Sequence, residues 1–207
     1  MRIFYDTEFL EDGHTIELIS IGMVAEDGRE YYAVSRRLTA RTWNGWRLRR
    51  RIRAHTWLME NVIPSLPRPH GDWRNHMPHD WLFNYLDPAV KKRKRIAADV
   101  AAFIQATPDP ELWAWYGSYD HVALAQLFGR MIDLPDGVPM WTNDLKQEAA
   151  RLGDPTLPEQ PDGVHNALAD ARHNMVRAQA LGALPRAKAD RCVASHCVEG
   201  DHIIALD

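Results

Sequence analysis

Acidic side chains stand at three places in the sequence where they could hold metal ions. The first is Asp6-Thr7-Glu8, close to the N-terminus. On a strand, residues i and i+2 project from one face, so these two carboxylates would converge. Like charges at that range raise each other's pKa unless a cation neutralises them, and a hard divalent ion bound by oxygens is the natural partner. An exposed strand end that happens to carry two acids has the same pattern. The second is Asp120 in WAWYGSYDHVAL, where a very apolar run meets a Gly-Ser turn and the acid opens the next helix. The helix dipole alone favours an acid there. The third is His165-Asn166-Ala167-Leu168-Ala169-Asp170. Five helical residues rotate by about 140°, so His165 and Asp170 would not share a helix face. The better arrangement has His165 in a loop, Asn166 as cap and Asp170 on the first turns of a helix. A capping loop with an exposed histidine is the plainer alternative.

The elements around these residues must bring them together. RIFYDTEF reads as a strand, and IELISIGMVA (16–25) as a second, buried one. Asp27-Gly28 is a hairpin signal, and REYYAVS (29–35) is a third strand. Three strands joined by tight turns give the sheet an antiparallel start. HTWLMENVIPSL (55–66) reads as a short helix stopped near Pro64. From Ala89 to about Ala106 the pattern is helical, with Val90, Ile96, Val100, Phe103 and Ile104 as a buried stripe. ELWAWYG (111–117) reads as a buried strand, and 118–131 as a helix with Ser118 as N-cap. Helices follow over about 144–152 and 167–182. Strands first, then strand and helices alternating, indicate a mixed α/β layer fold.

Composition sets outer bounds. The chain has 207 residues, enough for one full core. No apolar run approaches the roughly 18 residues a membrane helix needs, so no membrane partner is expected. The acidic pair stands where a signal peptide would be apolar. The two cysteines, Cys192 and Cys197, cannot make a disulfide framework, so a reducing cytoplasm is the expected location. Net charge is −3, but it is unevenly placed. Residues 36–53 hold eight arginines and no acid, and KKRKR at 91–95 adds five cations. That distribution suits an enzyme gathering metals in one place and phosphates in another. It also suits two solvated arginine-rich faces. With Trp43 and Trp46 interleaved, the 36–53 run fits a groove that tracks a single strand, or a dimer contact. Cys192, His196, Cys197 and His202 do not have the spacing of a usual zinc finger, and residues 186–207 read as a tail. His70, His76 and His79 read as surface.

Taken together, DTEF at 6–9, YGSYDHVAL at 116–124 and HNALADA at 165–171 resemble the three motifs of the DEDDh superfamily of 3′–5′ exonucleases. The core of the resemblance covers about 1–35 and 110–182. Residues 2–35 and 111–124 are more closely similar to the polyadenylate-specific exoribonuclease family RNase AS, whereas 36–53, 91–95 and 186–207 look diverged. The resemblance implies an RNase H-like core, a mixed five-stranded sheet flanked by helices, in a single exonuclease domain over 1–185. It implies two Mg²⁺ or Mn²⁺ ions held by Asp6, Glu8, Asp120 and Asp170, with His165 as general base in phosphodiester hydrolysis. It places Phe9, with Thr7 and Tyr116, beside the terminal nucleotide. Core packing is an equal reading of Phe9, and Trp113 and Trp115 read as core of a central strand. A homodimer acting on single-stranded RNA, A-rich RNA included, is the expected assembly and substrate. Nothing in the motifs reports on a 2′-OH, so a DNA exonuclease stays open. So do a catalytically silent nucleic-acid-binding module and a two-metal hydrolase of small nucleotides.

Overall fold

The computed structural model describes residues 1–39, 41–69, 81 and 83–182. Trp73, His70, His76, His79 and the cysteine-containing tail lie outside them. A six-stranded mixed sheet forms the centre, in the order β4-β3-β2-β1-β5-β6. Its strands are β1 (Arg2–Glu11), β2 (Ile16–Ala25), β3 (Glu30–Ser35), β4 (Val90–Lys91), β5 (Glu111–Ala114) and β6 (Asn143–Asp144). Among the described residues the α-helices are α1 (Trp43–Arg53), α2 (Arg93–Gln105), α3 (Ser118–Ala125), α4 (Leu145–Arg151) and α5 (Ala167–Ala180). This mixed α/β arrangement is consistent with an RNase H-like fold.

The leading strands pair antiparallel, as their tight turns require. The β2–β3 hairpin turns at Gly28, whose φ of +86° only glycine adopts at no steric cost. The sheet has one strand more than expected. Two of its strands, β4 and β6, are only two residues long, too short for any alternating pattern to announce them. For the same reason the helix expected from Ala89 begins at Arg93, after β4. The strand expected over 111–117 stops at Ala114, and the helix expected to 131 stops at Ala125. Gly117, not Ser118, caps α3. The segment around Pro64 stays helical through Ser65, as a π-helical turn (Leu58–Val62) followed by a 3-10 turn (Ile63–Ser65).

Three apolar clusters hold the layers. Ile3, Tyr5, Ile21 and Met23 pack one sheet face on Ile96, Val100 and Ile104 of α2 and Ala123 and Leu124 of α3. Phe4, pointing the other way, meets Leu145 of α4 and Ala178 of α5. Leu10, Ile19 and Val34 pack on Leu48 and Ile52 of α1 and on Trp81 and Phe83. The sheet is thus covered on both faces, and α1 is pinned beside the far end of β1. No helix among the described residues is long and apolar enough to cross a membrane.

Candidate active site

β5 accompanies β1 only along Arg2, Ile3 and Phe4. Beyond Phe4 that edge of β1 has no paired strand, and a side chain takes up the exposed backbone donor. The Thr7 N–H donates to Asp120 Oδ1 at 2.8 Å, and the Thr7 hydroxyl donates to the same oxygen at 2.7 Å. Asp120 sits in the first turn of α3, so the turn after β5 delivers a carboxylate against the open edge of β1. That turn is itself tied down: the Gly117 N–H donates to Asp144 Oδ2 at 3.0 Å. A register shift at Glu8/Phe9 interrupts the β1–β2 ladder at the same place, and such irregularities re-aim side chains.

The other face of β1 is crossed by α5. Asp6 is paired with Gly22, and a Cβ at Gly22 would lie 2.3 Å from backbone atoms of Ala167 and Leu168. Only glycine lets the start of α5 lie this close to the strands. Asn166 caps the helix, accepting from the Ala169 N–H at 3.1 Å, and its amide donates to the Ser65 carbonyl at 3.0 Å. His165 precedes the cap with φ +66°, and Asp170 falls in the first turn. Loop, cap and helical acid are therefore placed as the spacing suggested. Donor atoms of Glu8, His165 and Asp170 all lie within 4.8 Å of one another.

The electrostatics of the acids show how closely they are grouped. Burial, then Asp120, Glu8 and Asp170, push the Asp6 carboxyl well above the usual carboxylate range, with Arg177 opposing. Glu8 is pushed up to about 8, mainly by burial and further by Asp170 and Asp120. Burial raises Asp120 to about 6 against the pull of its Thr7 hydrogen bonds. Asp170 is raised by burial, while Gln160, whose amide donates to its Oδ1 at 2.7 Å, and His165 hold it down. Glu8 and Asp170, with the imidazole of His165, are a donor set that could hold a hard divalent cation, and Asp6 and Asp120 add negative charge beside it without joining that cluster. Arg177 on α5 acts on both Asp6 and Asp170. It donates to Asn174 Oδ1 at 2.9 Å and lies over the Trp115 ring at 4.6 Å.

Aromatic rings flank the acids. Phe9 is half-buried against the core and stacked on Tyr119, with centroids 6.0 Å apart and planes within 11°. Trp57 meets the His165 ring edge-on at 4.8 Å. Tyr116 is exposed, with φ +59° in the turn before α3. No family model matches the chain. Two Mycobacterium tuberculosis proteins, from strains H37Rv and CDC 1551, are both named 3′–5′ exoribonuclease. Each is 46% identical to it over 180 residues, which is 86% of this chain and 90% of the relative. The chain belongs to this 3′–5′ exoribonuclease family. Within the family frame, several neighbours of the site were not visible in its motifs. Tyr119 lies inside the YGSYDH segment but carries no pattern of its own. Arg177 had a signal: it is seven residues after Asp170, two turns along the same helix face. Trp57 reaches the site from a helical turn 108 residues before His165, and Gln160 from the loop ten residues before Asp170, and neither carries a pattern that announces it.

Proposed function

We propose that the chain is an active 3′–5′ exoribonuclease of the DEDDh type. In this reading Asp6, Glu8, Asp120 and Asp170 hold two Mg²⁺ or Mn²⁺ ions and His165 is the general base. The observation that carries it is the convergence of Glu8, His165 and Asp170 within 4.8 Å beside Asp6 and Asp120, in a family whose relatives bear that activity as a name. Bound divalent ions would polarise the attacking water and offset charge on the phosphate. The chain's own groups do the rest. The imidazole of His165 takes a proton from water as the water oxygen bonds to phosphorus, and imidazole is the side chain whose ordinary titration lies nearest neutrality. The 3′ oxygen of the shortened strand leaves and is protonated, releasing a nucleoside 5′-monophosphate. Thr7 spends both its donors on Asp120, so its part is to position that carboxylate. Phe9, backed by Tyr119, offers a flat face to the terminal base, and exposed Tyr116 borders it. Similarity to RNase AS favours A-rich strands and a cytoplasmic homodimer.

The test is to incubate the protein with 5′-labelled single-stranded oligo(A), mixed-sequence RNA and matching DNA, with Mg²⁺, Mn²⁺ or EDTA. The expected result is a metal-dependent ladder shortening from the 3′ end, faster on RNA. Equal or faster cleavage of DNA overturns the RNA preference. No cleavage of any strand, while metal still raises the melting temperature, overturns the exonuclease and leaves a small-nucleotide hydrolase or a binding module.

A further inference from the structure

The outward face of α1 is unusual for a surface helix. Its buried side is ordinary, with Gly45, Leu48 and Ile52 turned to the core. The opposite side carries Trp43, Trp46, Arg47 and Arg50, spaced i, i+3, i+4 and i+7, which is one helical stripe. Trp43 is 69% exposed and Trp46 45%. Their rings stack with centroids 5.2 Å apart and planes 20° from parallel, and the Arg50 guanidinium lies over Trp46 at 5.8 Å. One groove along the stripe is lined by Trp43, Trp46, Arg47, Arg50, Arg51 and Ala54, while the groove on the other side of Arg47 also holds Glu17, which is paired with Arg37. Some arginines of the segment are tied to the fold: Arg37 to Glu17, Arg51 to Asp12, and Arg49 to the Tyr85 hydroxyl and the Trp81 ring. Arg47 and Arg50 are exposed and make no ion pair among the described residues.

The helix that carries the stripe is joined by a short connection to a ring at the candidate site. From the C-terminal end of α1 the chain passes through residues 54–56 to Trp57, itself 47% exposed, whose ring meets that of His165. From Trp43 to Arg50 the stripe extends about 10 Å along the helix, on the element whose end is separated from Trp57 by three residues. The cores of protein interfaces are depleted in charge, whereas this face is half arginine. Stacked flat rings beside exposed guanidiniums that make no ion pair among the described residues fit bases and phosphates of a single strand.

We infer that Trp43, Trp46, Arg47 and Arg50 on the outward face of α1 bind single-stranded RNA on the 5′ side of the terminal nucleotide. This rests on the exoribonuclease reading above, and it gives that site a processive hold on long strands that a dinucleotide cannot reach. The test compares the wild type with Arg47→Glu/Arg50→Glu and Trp43→Ala/Trp46→Ala. Binding of a fluorescent strand of about 20 nucleotides is measured in EDTA across a salt series, and hydrolysis of a dinucleotide is measured with metal. Both variants are expected to bind the long strand roughly tenfold more weakly. Exchanging the two arginines should flatten the log–log salt dependence by about 1.4, at about 0.7 per phosphate contact. Dinucleotide hydrolysis should be unchanged. Unchanged affinity for the long strand overturns the inference, as does an equal loss on both substrates. If sedimentation shows the variants falling apart into monomers while long-strand affinity holds, the face is a contact between copies and the inference fails. A wild type that binds the long strand through this face but cleaves nothing leaves the surface standing and removes the exoribonuclease reading.

Discussion

Replacing Thr7 with valine should disable the candidate site without unfolding the protein. Valine has nearly the shape of threonine, so the 5% exposed position stays filled. What disappears is one of the two hydrogen bonds on Asp120 Oδ1, the 2.7 Å bond from the hydroxyl; the 2.8 Å bond from the backbone N–H remains. A hydrogen bond to an ionised group contributes about 1.5–3 kcal/mol. If that interaction serves to hold Asp120 in place during hydrolysis, kcat/KM falls by about 10- to 150-fold. The metal concentration for half activation should rise as well, because Asp120 loses a contact that favours its ionised form. The melting temperature should drop by about 3–12 °C, the size of the same loss at about 2–4 °C per kcal/mol in a domain of this length. The assay is steady-state shortening of 5′-labelled single-stranded RNA over a metal titration, with thermal melting alongside. Thr7→Ser is the control: it keeps the hydroxyl and should retain most activity. Full activity in Thr7→Val would refute the positioning role. So would a Thr7→Ser enzyme as weak as the valine variant, which would point to packing instead.

Further outcomes follow from the same geometry. Glu8 titrates near 8 in the metal-free fold, against an ordinary value of 4.5. Because the folded chain keeps a proton there that the unfolded chain has released, the contribution of Glu8 to stability is fully present below about 4.5 and is lost as pH rises through about 8. The melting temperature in EDTA should therefore fall across that window, and added Mg²⁺ or Mn²⁺ should raise it most at the alkaline end; a flat profile contradicts the clustered acids. Gly22→Ala puts a methyl group 2.3 Å from the α5 backbone. It should cost about 1–3 kcal/mol or more in chemical denaturation and reduce activity by displacing Asp170; neutrality on both counts would mean the helix moves freely. Asn166→Ala removes the cap of α5 and the tie to Ser65. It should cost about 1–2 kcal/mol, read as a shift in the denaturation midpoint, with RNA hydrolysis falling more than Asn166→Ser allows.

How much of this was legible in the sequence depended on whether the signal was local. The leading strands announce themselves through β-branched and aromatic residues and through Asp27-Gly28, and α5 through its Asn166 cap and helical run. The placement of His165 before that cap and of Asp170 after it followed from spacing alone. The sheet's outer strands did not, because β4 and β6 are fixed by pairing with neighbours and not by their own two residues. The ends of β5 and α3 were overestimated, since the apolar run continues past Ala114 through Trp115 to the turn at Tyr116 and Gly117, and apolar residues continue past Ala125 at Leu127 and Phe128. The acids were visible as residue types. The means of holding them was not, because Thr7 meets Asp120 across 113 positions and Gly22 admits Ala167 across most of the chain. The arginine-rich segment showed its charge in the sequence, but which arginines pair inward and which stand free required the packing of α1.

The account is tested most directly by the rates of 3′-end hydrolysis of one 5′-labelled single-stranded RNA, at saturating Mn²⁺. The proteins to compare are the wild type, Asp6→Asn, Glu8→Gln, Asp120→Asn, Asp170→Asn and His165→Ala, each shown to be folded by circular dichroism. The prediction is loss of activity for all four acid variants and a fall of about 10²- to 10⁴-fold for His165→Ala. An acid variant that stays folded and cleaves at close to the wild-type rate would contradict the assignment of the site.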